Sequence, residues 1–196
     1  MLFAHLIYIS ILSWFVGSPP QALTYDVIVH NRSIGQLNVT KVPTTTGVQY
    51  RVNADVAVRL FGEKRMITRF TSTYRNNLLT ESSFNDQLNG RTKHDALVRW
   101  DGSRYHIRVN DASSIIANRR ATYSAASLYD REPVGVSELF SERHGRFCSL
   151  RSVATHAYEL TLPDGKKNYY RYVNGVCREV EVEQPLFTVF FRLRSK

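Results

Sequence analysis

Two cysteines and six prolines among 196 residues leave little covalent or conformational bracing, which excludes a disulfide-dense miniature scaffold and a proline-rich spacer. The sequence also lacks a Gly-x-Ser-x-Gly nucleophile elbow, a glycine-rich phosphate loop and a His-Glu-x-x-His pair. The common hydrolase, nucleotide and zinc-protease chemistries therefore have no local support. Five histidines follow the N-terminal segment: His30, His94, His106, His144 and His156. None stands at the spacing of a helical or Cys-His zinc site. The expectation is a chain with no metal ion and no cofactor.

The first 22 residues lack Lys, Arg, Asp and Glu altogether. They are apolar from Leu2 to Val16 and then turn to Gly17, Ser18 and the Pro19-Pro20 pair before Ala22. A membrane anchor needs about 20 apolar residues, and this run stops sooner, so the pattern is that of a secretory leader. The expected organisation is a leader over 1–22, cleaved after Ala22, and a single domain over 23–196. No Ser/Gly-rich linker divides that domain. The product is expected in the periplasm or secreted, with no membrane-spanning segment after cleavage.

Acidic residues are in the minority, 17 against 26 Lys and Arg, for a net charge of +9. The leader carries none of it, so all of it belongs to the domain, and an anionic envelope surface is a favoured neighbour.

What the chain has in quantity is alternation. In VQYRVNADVAVRLF, Val48, Tyr50, Val52, Ala54, Val56, Val58 and Leu60 recur at every second position against Gln49, Arg51, Asn53 and Asp55, and only a strand gathers those residues on one face. KRMITRFTSTYRN follows across Gly62-Glu63-Lys64 and should return as its hairpin partner. Asn89-Gly90, Asp101-Gly102, Asp164-Gly165 and Asn174-Gly175 supply the residues that tight turns require. The fold class expected is all-β and mainly antiparallel: a strongly curved meander of roughly ten strands, or a barrel or half-barrel, with one or two short helices as plug or cap.

Residues 121–145 interrupt the alternation. Ser124 to Tyr129 is helix-like and must end by Pro133. Ser137 to Gly145 reads either as a second helix or as a hairpin turning at His144-Gly145. In the first segment, Leu128 and at least one of Tyr123 and Tyr129 should point into the curved sheet, with Asp130 and Arg131 solvated.

PDGKKNYYRYVNGVC, residues 163–177, threads cations between tyrosines like a polyanion-binding ribbon. The partner strand across Asn174-Gly175 carries Glu179, Glu181 and Glu183. Those acids pair with the cations and cancel attraction to phosphate, which reads as a hairpin and against nucleic acid.

For a ligand, the candidates are the aromatic and apolar residues able to line a concave face: Trp100, Tyr105, Tyr123, Leu128, Tyr129, Tyr170 and Tyr172. Core packing is the default reading of each. Acid-base candidates are Glu132, Glu138, Glu142 and His144 in the irregular segment and the His94/His106 pair flanking Asp101-Gly102. Cys148 and Cys177 stand 29 positions apart. They either form a disulfide, worth roughly 3 to 4 kcal/mol in the chain-entropy model, or remain two buried thiols.

Tyr25-Asp26-Val27 with Ile34-Gly35, then TYSAASLYDREPVGV, FSERHGRF and LPDGKKNYYRYVNGVCREVEVE, resemble a family of uncharacterised exported β-rich bacterial proteins defined by a domain of unknown function. The resemblance spans nearly all of the domain and implies an exported single-domain β-protein. It implies no reaction and no catalytic residue. The functional expectation is an exported, non-enzymatic binding or carrier module for an apolar or amphipathic small molecule or lipid. The alternatives are an exported hydrolase or isomerase and a structural or anionic-surface-binding protein.

Overall fold

The computed structural model describes residues 20–59 and 63–194. The leader expectation rests on residues 1–19 and lies outside the described residues, as does the turn at 60–62. The first strand begins at Gln21, so cleavage after Ala22 would trim its first two residues.

Fourteen strands among the described residues form one antiparallel sheet. The first eight are β1 (Gln21–Val29), β2 (Arg32–Thr44), β3 (Gly47–Arg59), β4 (Glu63–Arg75), β5 (Leu78–Leu88), β6 (Arg91–Trp100), β7 (Arg104–Val109) and β8 (Ala112–Ala117). The other six are β9 (Glu138–Ser141), β10 (Arg146–Ala154), β11 (Ala157–Thr161), β12 (Lys167–Val173), β13 (Val176–Glu183) and β14 (Thr188–Leu193).

The count exceeds the ten expected because several turns use no glycine. His30-Asn31 and Asn76-Asn77 adopt positive φ at both positions, between 47° and 60°, which asparagine tolerates better than most residues. Ser137 to Gly145 is the hairpin, not a helix: β9 pairs β10 with Ser141 opposite Arg146.

The sheet order is β8 to β1 and then β14 down to β9. Strand β1 lies against β14, Tyr25 opposite Leu193, so both ends of the described chain are in mid-sheet. The two edges are β8 and β9, which are consecutive in sequence. Five register shifts, such as the extra residue Arg178 opposite Arg171/Tyr172, add local twist and bend.

The edges do not meet by pairing. The β9–β10 tip instead passes beneath the inner face of the other half, its successive residues touching successive strands. Ser72 of β4 donates to Glu142 at 2.6 Å, and Asp86 of β5 pairs with Arg143 at 3.0 Å. His94 Nε2 of β6 lies 2.7 Å from the Arg143 carbonyl. A Cβ on Gly145 would sit 2.5 Å from a methyl of Ile107 on β7. One edge of the sheet thus overlaps its other end.

Inside the curve sits a short 3-10 helix, Ala125–Tyr129, with Ala126, Ser127, Leu128 and Tyr129 buried. The inner faces of both halves and this plug make one core, from Tyr25, Val27, Val39 and Val52 to Leu139, Phe140, Leu160 and Val180. As expected, Leu128 and Tyr129 point inward. Asp130 is a correction: its side chain is 3% exposed, because the Lys41 ammonium at 2.8 Å and the Tyr50 hydroxyl at 3.3 Å replace water around the carboxylate. Arg131 stacks over the Tyr123 ring, 3.5 Å from its centroid.

Candidate functional site

The residues chosen from sequence as ligand-lining lie in the core or packed against it, Leu128 and Tyr129 within the plug itself. Tyr172 on β12 donates its hydroxyl to the Leu128 carbonyl at 2.7 Å. Tyr105 on β7 donates to the Leu79 carbonyl at 2.9 Å and accepts the Ala121 N–H at 3.1 Å. Tyr25, which was not among the candidates, donates to the Cys177 carbonyl at 2.8 Å and lies edge-on to Tyr129. Trp100 packs on Tyr105 with ring centroids 4.7 Å apart. Leu128, Tyr129, Tyr170 and Tyr172 are all buried, while Trp100 and Tyr123 are partly so. Buried hydroxyls paired to backbone carbonyls are what an aromatic core needs.

The cysteines are free and buried, which corrects the disulfide alternative. Cys148 on β10 and Cys177 on β13 have β11 and β12 between them. That is about 14 Å along the sheet at the usual strand spacing, well beyond the Cα separation a disulfide spans. Burial pushes the Cys148 thiol up to about 11 and Cys177 to about 12, which keeps both protonated and unreactive. The bulge at Arg178 turns Cys177 inward opposite Tyr172, whereas strict alternation puts it with the glutamates.

The acid-base candidates are not gathered around one cavity. Glu138 pairs with Arg119 at the surface, and His106 meets Asp101 at 2.7 Å on the outer face. Glu132 accepts from Tyr158 and contacts His156, both at 2.9 Å. Glu142 is fully buried and accepts from Ser72, from Ala125 N–H at 3.1 Å and from Ala126 N–H at 3.0 Å. It ties the plug to β4. Burial raises its pKa, with the Ser72 hydroxyl and the plug N–H groups opposing. His144, two positions on in the chain, is partly buried. Burial, and next Arg143, lower its pKa to about 4.

A groove of about 820 Å³ lies elsewhere, across the outer face of β3–β8. Cross-strand register builds it from two rows. One runs Gln49, Thr73, Glu81, Arg99, His106 and Ile115; the other contains Thr71, Ser83, Leu97, Arg108 and Ser113. Short hydroxyl side chains make much of its wall, with Thr71 and Ser83 joined at 2.8 Å. Leu97 and Ile115 are 49% and 56% exposed. The outer face of the other half is different in kind: Arg151 and Lys167 flank Glu159, and Arg171 and Arg192 share Glu179. Charge is neutralised there pair by pair. Over β3–β8 hydroxyls and exposed apolar side chains are interleaved with the charges, where Asp95 holds Arg108 at 2.7 Å and Asp101 holds His106.

Residues 25–194 match the model of the domain of unknown function DUF6134. The chain belongs to this family. The DUF6134 match runs from the Tyr25 that pins the plug to the end of β14, and so includes plug and groove alike. No curated protein matches the chain. Among solved structures, the crystal structure of a β-barrel-like protein of domain of unknown function DUF1849 from Brucella abortus is similar. It has a TM-score of 0.60 and 10% identity, covering 90% of this chain and 96% of that one. At that identity the likeness is one of fold alone. DUF6134 membership therefore comes with a β-barrel-like architecture and no assigned chemistry.

Sequence reading missed the groove because threonines, serines and arginines at alternate positions look like any solvated strand face. One signal was present. Leu97-Val98 and Ile115-Ile116 are adjacent apolar pairs, and adjacency in a strand puts one of each pair on the outer face.

Proposed function

We propose that this DUF6134 protein is an exported, non-enzymatic binding module of the cell envelope, carrying an amphipathic, anionic molecule in the outer groove of β3–β8. The observation that carries this reading is the pairing of exposed Leu97 and Ile115 with Arg99, His106 and Arg108 in one groove of about 820 Å³. That size suits a small lipid or similar ligand. An apolar tail lies along Leu97 and Ile115, and the head group meets Arg99 with hydroxyl donors from Thr71 and Ser83, beside Arg108, which Asp95 holds at 2.7 Å. The leader-like N-terminus supports export to the periplasm or beyond. The +9 charge supports residence beside anionic envelope surfaces.

The test is binding of a pyrene-labelled fatty acid by fluorescence. Leu97→Glu and Arg99→Glu should each weaken it about tenfold or more, with the urea midpoint unchanged, since both side chains are exposed on the outer face. Failure of the parent protein to bind the probe, or variants that bind it as the parent does, would overturn the reading.

A further inference from the structure

The two edges of the sheet are treated differently. At β9, the Phe140 N–H donates to the Tyr123 carbonyl at 2.9 Å, and Ser124 bridges Phe140. The irregular segment thus covers that edge. At β8, Ala112–Ala117, five of six residues are exposed, and the neighbour on one side is β7 alone.

The direction of the backbone groups follows from the ladder. Asp101 N–H donates to Arg104 C=O at 3.1 Å, and Asn110 N–H donates to Asp95 C=O at 2.8 Å. Even-numbered residues of β7 therefore turn their backbone groups toward β6, and odd-numbered ones toward β8. Tyr105, Ile107 and Val109 face Ile116, Ser114 and Ala112. Ser113, Ile115 and Ala117 then send their N–H and C=O groups out to the open edge. The strand, ASSIIA, carries no charge and no proline, the devices that usually blunt such an edge.

We infer that β8 is a strand-addition site for an extended acidic segment of another polypeptide. A row of backbone donors and acceptors at strand spacing is matched by another backbone. Charge decides which one. Residues 91–120, which make β6–β8 and their flanks, contain seven Lys and Arg against three Asp and Glu. A second copy would bring two such basic ends together, whereas an acidic strand is attracted. Ser113 and Ala117 lie directly beside Arg108 and Arg104 of β7. Asp95 and Asp101 already hold these guanidinium groups at 2.7 and 3.4 Å, and Ser113 and Ala117 are short enough for carboxylates on the added strand to reach their remaining N–H groups. The strand's other face would be apolar and continue the core from Ile116, which packs against it already. The edge strand also walls the ligand groove through Ser113 and Ile115, but the backbone groups invoked here point along the sheet, away from the groove, and need no ligand in it.

The experiment measures anisotropy of a labelled probe peptide of alternating valine and glutamate with the full domain. The peptide should bind, more weakly at high salt. Ile115→Pro removes an N–H only at the open edge, leaving the β7–β8 ladder intact. It should weaken binding by about tenfold or more at unchanged urea midpoint. Methylating the peptide's backbone nitrogens should do the same without touching the protein. The inference is overturned if the parent protein ignores the peptide, if neither change weakens binding, or if a valine-lysine peptide binds as well. A concentration-dependent dimer in sedimentation that Ile115→Pro abolishes would also overturn it, since the edge would then serve self-association.

Discussion

Glu142 is the residue on which the interior turns. Its carboxylate satisfies two plug N–H groups and the Ser72 hydroxyl at once, and no water can replace it at 1% exposure. Glu142→Ala leaves those donors unpaired in the core and should cost about 2–4 kcal/mol, read from urea unfolding. His144, three positions from Ser141 and near it, gives a pH signature. Its folded pKa lies near 4 against 6.5 for the free side chain, so the unfolded chain takes up the proton first as pH falls. The stability contributed by neutral His144 is complete above pH 6.5 and is lost as pH drops toward 4. His144→Leu should flatten that limb of the stability curve, and urea midpoints at pH 7 and pH 4.5 would measure it. Glu159 runs lower still: its bonds to Arg151, then to Lys167, hold it at about 2. Its contribution is lost only between pH 4.5 and about 2.

The decisive element is the plug, Ala125–Tyr129. Too short to be stable alone, it is held by tyrosines of β1 and β12 and by Glu142 of the β9–β10 tip. Leu128, its fourth residue, is 0% exposed, so Leu128→Ala should destabilise by about 2–5 kcal/mol. Thermal denaturation reads that loss, and binding of the fatty-acid probe on the far side of the sheet should survive in the folded fraction. Pro133 and the serine before the helix made this element legible in sequence. Its partners were not: the tyrosines that hold it come from 44 and 104 residues away. Alternation identified the inward face of β3, with Tyr50, Val52, Ala54 and Val56 buried, but misassigned Cys177. A bulge at Arg178 has no local signature beyond an ordinary arginine.

At the scale of the whole molecule, the sheet is held shut without a covalent link. Both thiols are free and buried, so a reducing agent should leave the melting temperature unchanged. A thiol reagent should titrate two groups only after unfolding. A melting temperature that falls on reduction would show a disulfide in the protein as isolated. Closure comes instead from β1 against β14, with Arg194 and Asp26 paired across 168 residues, and from the tip that slides under β4–β7.

Period-two alternation, asparagine and glycine at the turns, and the break from Ser124 to Pro133 determined an antiparallel meander with a plug, because each is enforced by backbone sterics within a few residues. Tertiary structure alone decided that β1 meets β14, that one edge is covered and the other open, and that two solvent-facing rows make a groove. Those facts depend on the summed twist of fourteen strands. A small rotation per strand, repeated across a sheet, sets which distant residues meet, and no short stretch of sequence records that sum.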